Sequence, residues 1–416
     1  MRGEHQLALN YSGEQAMPQS LLTPQLITRK ALESLENNLV MAKLVHRRFE
    51  GMFTQKIGTT LTVRKPNKFQ SQEGPVIDVQ DINEPSVSIV INRYRTVPFQ
   101  FSDADMALTI EDFTERYIDP AMIPLANDVD FDLLGLASQF SNVVGTQGVT
   151  PTTFASSVQL TGQRLDENGV PGGMERNLVV NPAANWAMAG AQSNAFVTRV
   201  SEKALINGYL NQIGNQYVFM DQNVQKQATG SVYSGTSLSN GVAQVGATIN
   251  SDGWGSGTTT LRQGTVITFA GVFAVNPVSM QSTGALKNFT ITATISDTTG
   301  AIALPISPAI VTTGPFQNVT NAVADNSAVA VISQTASGVG NGPVNNLAFT
   351  KQAMGLCMVE LPLPGGLDMA YKVTHKNISI RFLRGFDITN AQFISRLDIL
   401  YGVAQYYDEM GVRLLG

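Results

Sequence analysis

Few side chains in this sequence are equipped for catalysis. Histidine occurs three times, as His5, His46 and His375, and none has a second His, Cys or carboxylate at metal-ligand spacing. Each reads as a surface or interface residue, and no metal site is expected. The single cysteine, Cys357 in Gly355-Leu356-Cys357-Met358-Val359, excludes an internal disulfide and reads as a buried thiol. There is no GxxxxGK[ST] phosphate loop and no GxSxG elbow. Gly338-Val339-Gly340-Asn341-Gly342 lacks the strand–glycine–helix context of a dinucleotide site and reads as a linker. Asp103, Asp105, Glu111, Asp112 and Glu115 could pair as acid and base, but at the head of a helix they complement its dipole. Four Asn-X-Ser/Thr acceptors, at Asn10, Asn288, Asn318 and Asn377, would matter only in a secreted chain. No catalytic constellation and no cofactor site emerges. What remains is a set of cations in an acidic chain: Arg64, Lys65, Lys68, Arg93 and Arg95. Their chemistry is ion pairing with a carboxylate surface. One exposed pair contributes about 0–1 kcal/mol, so such pairs count only when an interface repeats them many times.

The elements that must carry these residues begin with a helical pattern from Thr23 to about Glu50, with Leu32, Leu35, Leu39 and Ala42 on one face. Residues 58–101 hold two strand-like stretches, Thr59–Arg64 and Val87–Asn92, separated by about twenty polar residues that include Pro66 and Pro75. A projecting two-stranded arm accounts for that spacing. An isolated hairpin is marginal in water, so the arm implies a partner surface. Thr109 and Asp112 resemble a capping box. Ile110, Phe113, Tyr117, Leu125, Val129, Leu133 and Leu136 then form the stripe of a helix near thirty residues, about 45 Å long. Pro120 and Pro124 should bend it. Residues 146–221 read as α/β, with Asn181 as N-cap and Pro182 opening a helix after the strand Asn177–Val180.

Residues 222 to about 345 change character: charge nearly vanishes and short Thr/Val/Ser strands alternate with Gly and Pro turns. That is the signature of an inserted β domain. Its flanks, Gln225–Ser231 and Gln334–Asn346, read as flexible, with few contacts crossing the boundary. Alternating strands return at Ala353–Leu361, Ile378–Leu383 and Ser395–Val403.

Composition sets the outer limits. The 416 residues carry 27 Lys+Arg against 32 Asp+Glu, a net charge of -5, which argues against nucleic-acid binding by bulk electrostatics. At 43% hydrophobic and 14% charged the chain is globular. No apolar run approaches the roughly 18 residues of a membrane span, so no membrane partner is expected. No secretory signal is visible around Arg2, Glu4, His5 and Glu14, which fits a reducing cytoplasm.

This order of elements resembles the major capsid (coat) proteins of tailed phages, and most closely those of short-tailed enterobacterial phages with an inserted Ig-like domain. Leu39–Val45, Thr62-Val63-Arg64-Lys65-Pro66, Glu115–Ala121, Val180-Asn181-Pro182, Val218–Val224 and Gly264–Val272 carry the resemblance collinearly. It implies an α+β, Hong Kong 97-type capsid fold. The expected divisions are an N-terminal arm and helix (1–50), an extended hairpin loop (51–102) and the spine helix of a peripheral domain (103–145). An axial domain (146–224), an inserted β domain (225–345) and returning axial and peripheral strands (346–416) complete it. It further implies a structural, non-enzymatic subunit that assembles with itself into pentamers and hexamers of an icosahedral virion capsid. Its implied partners are a scaffolding protein, a portal and packaged double-stranded DNA held without sequence recognition, with assembly in the host cytoplasm. The alternative is another β-rich phage structural protein, a tail or decoration component. The spine helix weighs against it.

Overall fold

The computed structural model describes residues 24–47, 60–71, 74, 79–100, 114–152, 157–192, 210, 212–230, 236–255, 259–333, 342–367, 369–375, 378–387 and 392–416. The N-terminal helix Pro24–Asn38 buries Ile27, Ala31, Leu32 and Leu35, a stripe at helical spacing. The stripe packs on the spine helix Asp119–Gly135 and on the strands Met369–His375 and Ile378–Asp387. The spine helix contributes Met122, Leu125, Val129 and Leu133 to the same core. The long strand Gln392–Gln405 is the centre of this five-stranded sheet and pairs antiparallel with Ile378–Asp387, Met354–Met358 and Arg93–Gln100.

A six-stranded mixed sheet forms the second layer. Its order is Val143–Val144, Gly411–Leu415, Asn345–Thr350, Arg176–Val180, Gln216–Met220, Gln212–Ile213. The helices Val158–Glu167 and Pro182–Gln192 cover it through Val158, Leu165, Ala184 and Met188. Asn181 caps the second of them, its Oδ1 accepting the Ala184 N–H at 3.0 Å.

Between these body strands, another six-stranded sheet runs in the order Val329–Val331, Val266–Phe269, Phe289–Ile291, Ile302–Ile310, Gly246–Asp252, Leu238–Ser239. It has a core of its own around Trp254, Phe269 and Phe289. The chain enters and leaves this unit side by side: the Gln227 N–H meets the Pro343 carbonyl at 2.9 Å and the Asn345 N–H the Gln225 carbonyl at 3.0 Å.

Several expectations change in detail. The N-terminal helix stops at Asn38 and a short helix, Met41–Leu44, follows. The break exists because the Asp130 carboxylate accepts the N–H groups of Val40 and Met41 at 2.8 and 3.1 Å, which an unbroken helix would use internally. The hairpin strands Thr60–Arg64 and Ser86–Val90 pair antiparallel as the sequence predicts. Residues 93–100, expected in the hairpin, belong to the central sheet instead, where Val97 and Phe99 pack against the main core. The expected cap at Thr109 and Asp112, and the acidic run except Glu115, lie outside the described residues. A π-helical turn, Thr114–Ile118, leads into the spine helix. Pro120 follows that turn, at the N-terminal end of the spine helix, where proline is best tolerated. Pro124 lies within the helix, which continues through it to Gly135. Among the described residues no helix is long and apolar enough to cross a membrane.

Candidate functional site

The hairpin and the stretch after its first strand carry Arg64, Lys65 and Lys68, three of the cations singled out in the sequence. The hairpin's apolar face, Leu61, Val63, Val87 and Ile89, packs on Cys357, Val359, Ala404 and Tyr406, so the base is anchored to the body. Cys357 is a buried thiol, as expected. Arg64, on the opposite face, pairs with Glu84 at 3.3 Å and keeps 79% of its side chain exposed. The Lys65 ammonium stands 4.9 Å from the centre of the Tyr407 ring, and burial lowers its pKa against the pull of Glu409. Lys68 pairs with Glu409 at 3.4 Å and lies 6.0 Å from the Phe316 ring of the inserted unit. Further along, Phe69, Val79 and Ile82 hold large apolar side chains in solvent. An open groove of about 840 Å³ separates this stretch from the inserted unit, with Lys68, Phe69, Val278, Met280 and Glu409 among its walls.

Arg93 and Arg95 do not join that group. They face the spine helix, where each meets Asp132 at 3.3 Å, and Arg95 also meets Asp128 at 3.6 Å. Tyr401 closes the network by donating its hydroxyl to Asp132 Oδ2 at 2.7 Å. Beside it, the Asp398 carboxylate is buried between Arg381 at 2.6 Å and Arg396 at 2.8 Å. Burial alone would raise the pKa of Asp398; the two guanidiniums outweigh it and hold the carboxyl below the usual range.

The sequence reading missed a polar seam between the inserted unit and the body. Arg413, on the strand Gly411–Leu415, is fully buried. Its Nε donates to the Phe140 carbonyl at 2.6 Å, Nη1 to the Gly264 carbonyl at 2.8 Å and Gln227 Oε1 at 3.0 Å, and Nη2 to Thr290 Oγ1 at 3.0 Å. Burial among neutral acceptors lowers its pKa to about 9. Asp408 accepts the N–H and hydroxyl of Ser141, and burial pushes its carboxyl up. Lys287 of the inserted unit is buried in the field of Asp408 and Glu409. The described ends of the flanks, Gln225 with Asn345 and Gln227 with Pro343, are therefore paired, and contacts through Arg413 cross a boundary where few were expected. The available signal was Arg413 itself, a lone cation inside the apolar run Gly411-Val412-Arg413-Leu414-Leu415.

Among the described residues no group of three or more His, Cys, Asp or Glu could hold a metal ion. The charged side chains here tie structural elements to one another. A family model described as P22 coat protein - gene protein 5 matches residues 19–416. The chain belongs to the P22 coat protein family. This coat protein is a structural major capsid protein with the Hong Kong 97-type fold, it is not an enzyme, and it self-assembles into capsids. Among curated proteins no sequence matches it. Among solved structures it is similar to one from Mycobacterium phage Che8, at 11% identity over 90% of each chain with a TM-score of 0.46. It is similar to the capsid of cyanophage P-SCSP1u at 11% identity, covering 87% of this chain and 84% of that one, with a TM-score of 0.45. The I-domain of the CUS-3 coat protein, 20% identical, covers 26% of this chain and 97% of its own with a TM-score of 0.17.

Proposed function

We propose that this coat protein forms the pentamers and hexamers of an icosahedral shell that encloses double-stranded DNA. The family match over residues 19–416 carries this reading. In it, a scaffolding protein and a portal are the assembly partners, assembly takes place in the host cytoplasm, and the inserted β domain faces outward, away from the packaged genome. The net charge of -5 fits DNA driven in by a motor, because a self-condensing shell would need basic tails to neutralise phosphates. The hairpin reaches an adjacent subunit, with Phe69, Val79 and Ile82 as apolar contacts and Arg64, largely exposed beside Glu84, on its polar face. Arg93 and Arg95 belong to the internal network with Asp128 and Asp132, so their share in such contacts is smaller. Electron microscopy of the purified chain, alone and with a scaffolding protein, tests this reading. Closed shells with five-fold and six-fold capsomers are expected; open tubes or rings would point to a tail component. Arg64→Gln should raise the protein concentration needed for assembly and weaken its dependence on salt, and assembly unchanged in both respects would remove Arg64 from the contact.

A further inference from the structure

The hairpin arm has a second fastening beyond its apolar base. The Lys65 N–H donates to the Pro85 carbonyl at 2.7 Å, and the Gln70 N–H to Gln80 Oε1 at 2.9 Å. Both contacts keep the register of the strand pair Thr60–Arg64 and Ser86–Val90, so the arm stays two-stranded as it leaves the body. Among the described residues, two lysines then tie it back to its own subunit. Lys65 Nζ stands 4.9 Å from the centre of the Tyr407 ring. Lys68 Nζ meets Glu409 Oε1 at 3.4 Å and lies 6.0 Å from the centre of the Phe316 ring. Glu409 is held in turn, its carbonyl accepting Asn168 Nδ2 at 3.2 Å. Lys68 thus joins the arm, the body and the inserted unit at one point, on a wall of the groove of about 840 Å³.

This fastening is weak. The Lys68 and Glu409 side chains keep 41% and 40% of their surface exposed, so water screens the pair. An ion pair of this kind shifts an equilibrium by at most about fivefold. Between the two lysines, Asn67 opposes closure. Its Oδ1 and Nδ2 are both buried, and neither has a hydrogen-bond partner among the described residues. A buried amide without partners is costly, and water satisfies it once the arm lifts. Past the clasp, Phe69, Val79 and Ile82 are 67%, 85% and 75% exposed, so the outer arm gains little from packing on its own subunit.

We propose that Lys68 and Glu409 form an autoinhibitory latch, which holds the arm on its own subunit and opens before the arm engages a neighbouring copy. This inference rests on the assembly role given to the arm above. Closed, the latch engages the Lys68 charge within the subunit and keeps Asn67 from water. Open, it frees both, together with Phe69, for the surface of the neighbour. The ion pair and the buried amide pull in opposite directions, so a single substitution at either one shifts the population, and the two substitutions shift it with opposite sign.

Two measurements on the full-length chain test the latch. The first is the distance between spin labels on Val79→Cys in the arm and Val278→Cys in the inserted unit, both exposed positions, in unassembled protein. Cys357 is buried and stays unlabelled. The otherwise unchanged chain should give one narrow distribution, and Glu409→Gln should add a second, broad population. Exchanging the charges, Lys68→Glu with Glu409→Lys, should restore the narrow one. The second is the protein concentration needed for assembly, read by light scattering on unlabelled chains. Glu409→Gln should lower it about two- to fivefold, the charge exchange should return it, and Asn67→Leu, which removes the buried amide, should raise it. Identical distance distributions with and without Glu409→Gln would overturn the latch, and so would a threshold that this substitution leaves unchanged or raises. If the unaltered chain forms no shells at all, the shell reading fails, and the distance distributions alone decide the latch.

Discussion

Arg413 brings a charge into the interior and meets only carbonyl, amide and hydroxyl oxygens there. Such a group is kept for what it holds in place, because removing it leaves several buried acceptors unsatisfied at about 1–3 kcal/mol each. Arg413→Met, which fills the volume without the donors, should destabilise the chain by about 3 kcal/mol in urea unfolding. A loss under about 1 kcal/mol would show that water replaces the guanidinium without cost. Asp398 makes the complementary case, a buried anion between two cations. Its folded pKa lies below the unfolded one, so its contribution is complete above about pH 4 and is lost as pH falls through the folded value. Wild-type melting temperature should drop steeply below pH 4, and Asp398→Asn should flatten that limb while lowering stability at neutrality. Arg413 stands out in the sequence as a lone cation in an apolar run, but the partners of neither residue can be read there. Arg413 draws on Phe140 and Gly264, each more than 140 positions away, and Asp398 draws on Arg381 across a strand pair.

Elements defined by local pattern were legible, and those defined by distant pairing were not. The alternation at Thr60–Arg64 and Ser86–Val90, the Asn181-Pro182 helix start and the loss of charge after residue 222 are each written in a few consecutive residues. The strand Arg93–Gln100 has an equally clear alternation, but its partner Gln392–Gln405 lies some 300 residues away, so the sequence assigned it to the nearer hairpin. The hairpin's seat depends on a similar distant approach. Its second strand crosses the body at Gly402, where an added Cβ would stand 2.5 Å from the Val90 carbonyl oxygen. Backbone on both sides leaves no flexible atom to move. Gly402→Ala should therefore lift the hairpin base from Cys357 and Tyr406, at about 2 kcal/mol or more. Hydrogen exchange checks this directly: residues 60–64 and 86–90 should lose protection while the spine helix keeps its own. Equal loss across the chain would mean that the hairpin is not a separate unit of stability.

At the scale of the whole molecule, the question is whether the inserted domain is an attachment or part of one cooperative body. Its separate core around Trp254, Phe269 and Phe289 favours independence, and residues 225–345 are enough for a core of their own. Its base favours the opposite. Val266 packs with Val143 and Leu415 of the body, Asn276 Nδ2 donates to the Glu167 carbonyl at 2.9 Å, and Lys287, Gly264 and Thr290 line the seam around Arg413 and Asp408. The two ends are adjacent through Gln227 and Pro343, so residues 228–342 can be replaced by a short linker without stretching the chain. That deletion removes the Gly264 carbonyl and the Thr290 hydroxyl but leaves Arg413 in the body. Arg413 then opens to water, and its charge no longer depends on the lost acceptors. The Arg413→Met change, costing about 3 kcal/mol in the full chain, should cost less than about 1 kcal/mol in the deletion background. A double-mutant cycle in urea measures that coupling. The domain expressed alone should melt cooperatively around Trp254, with residues near Val266 and Lys287 unprotected because their partners are on the body. Equal costs of the Arg413 change in both backgrounds would show that the seam carries no coupling and that the insertion is only tethered.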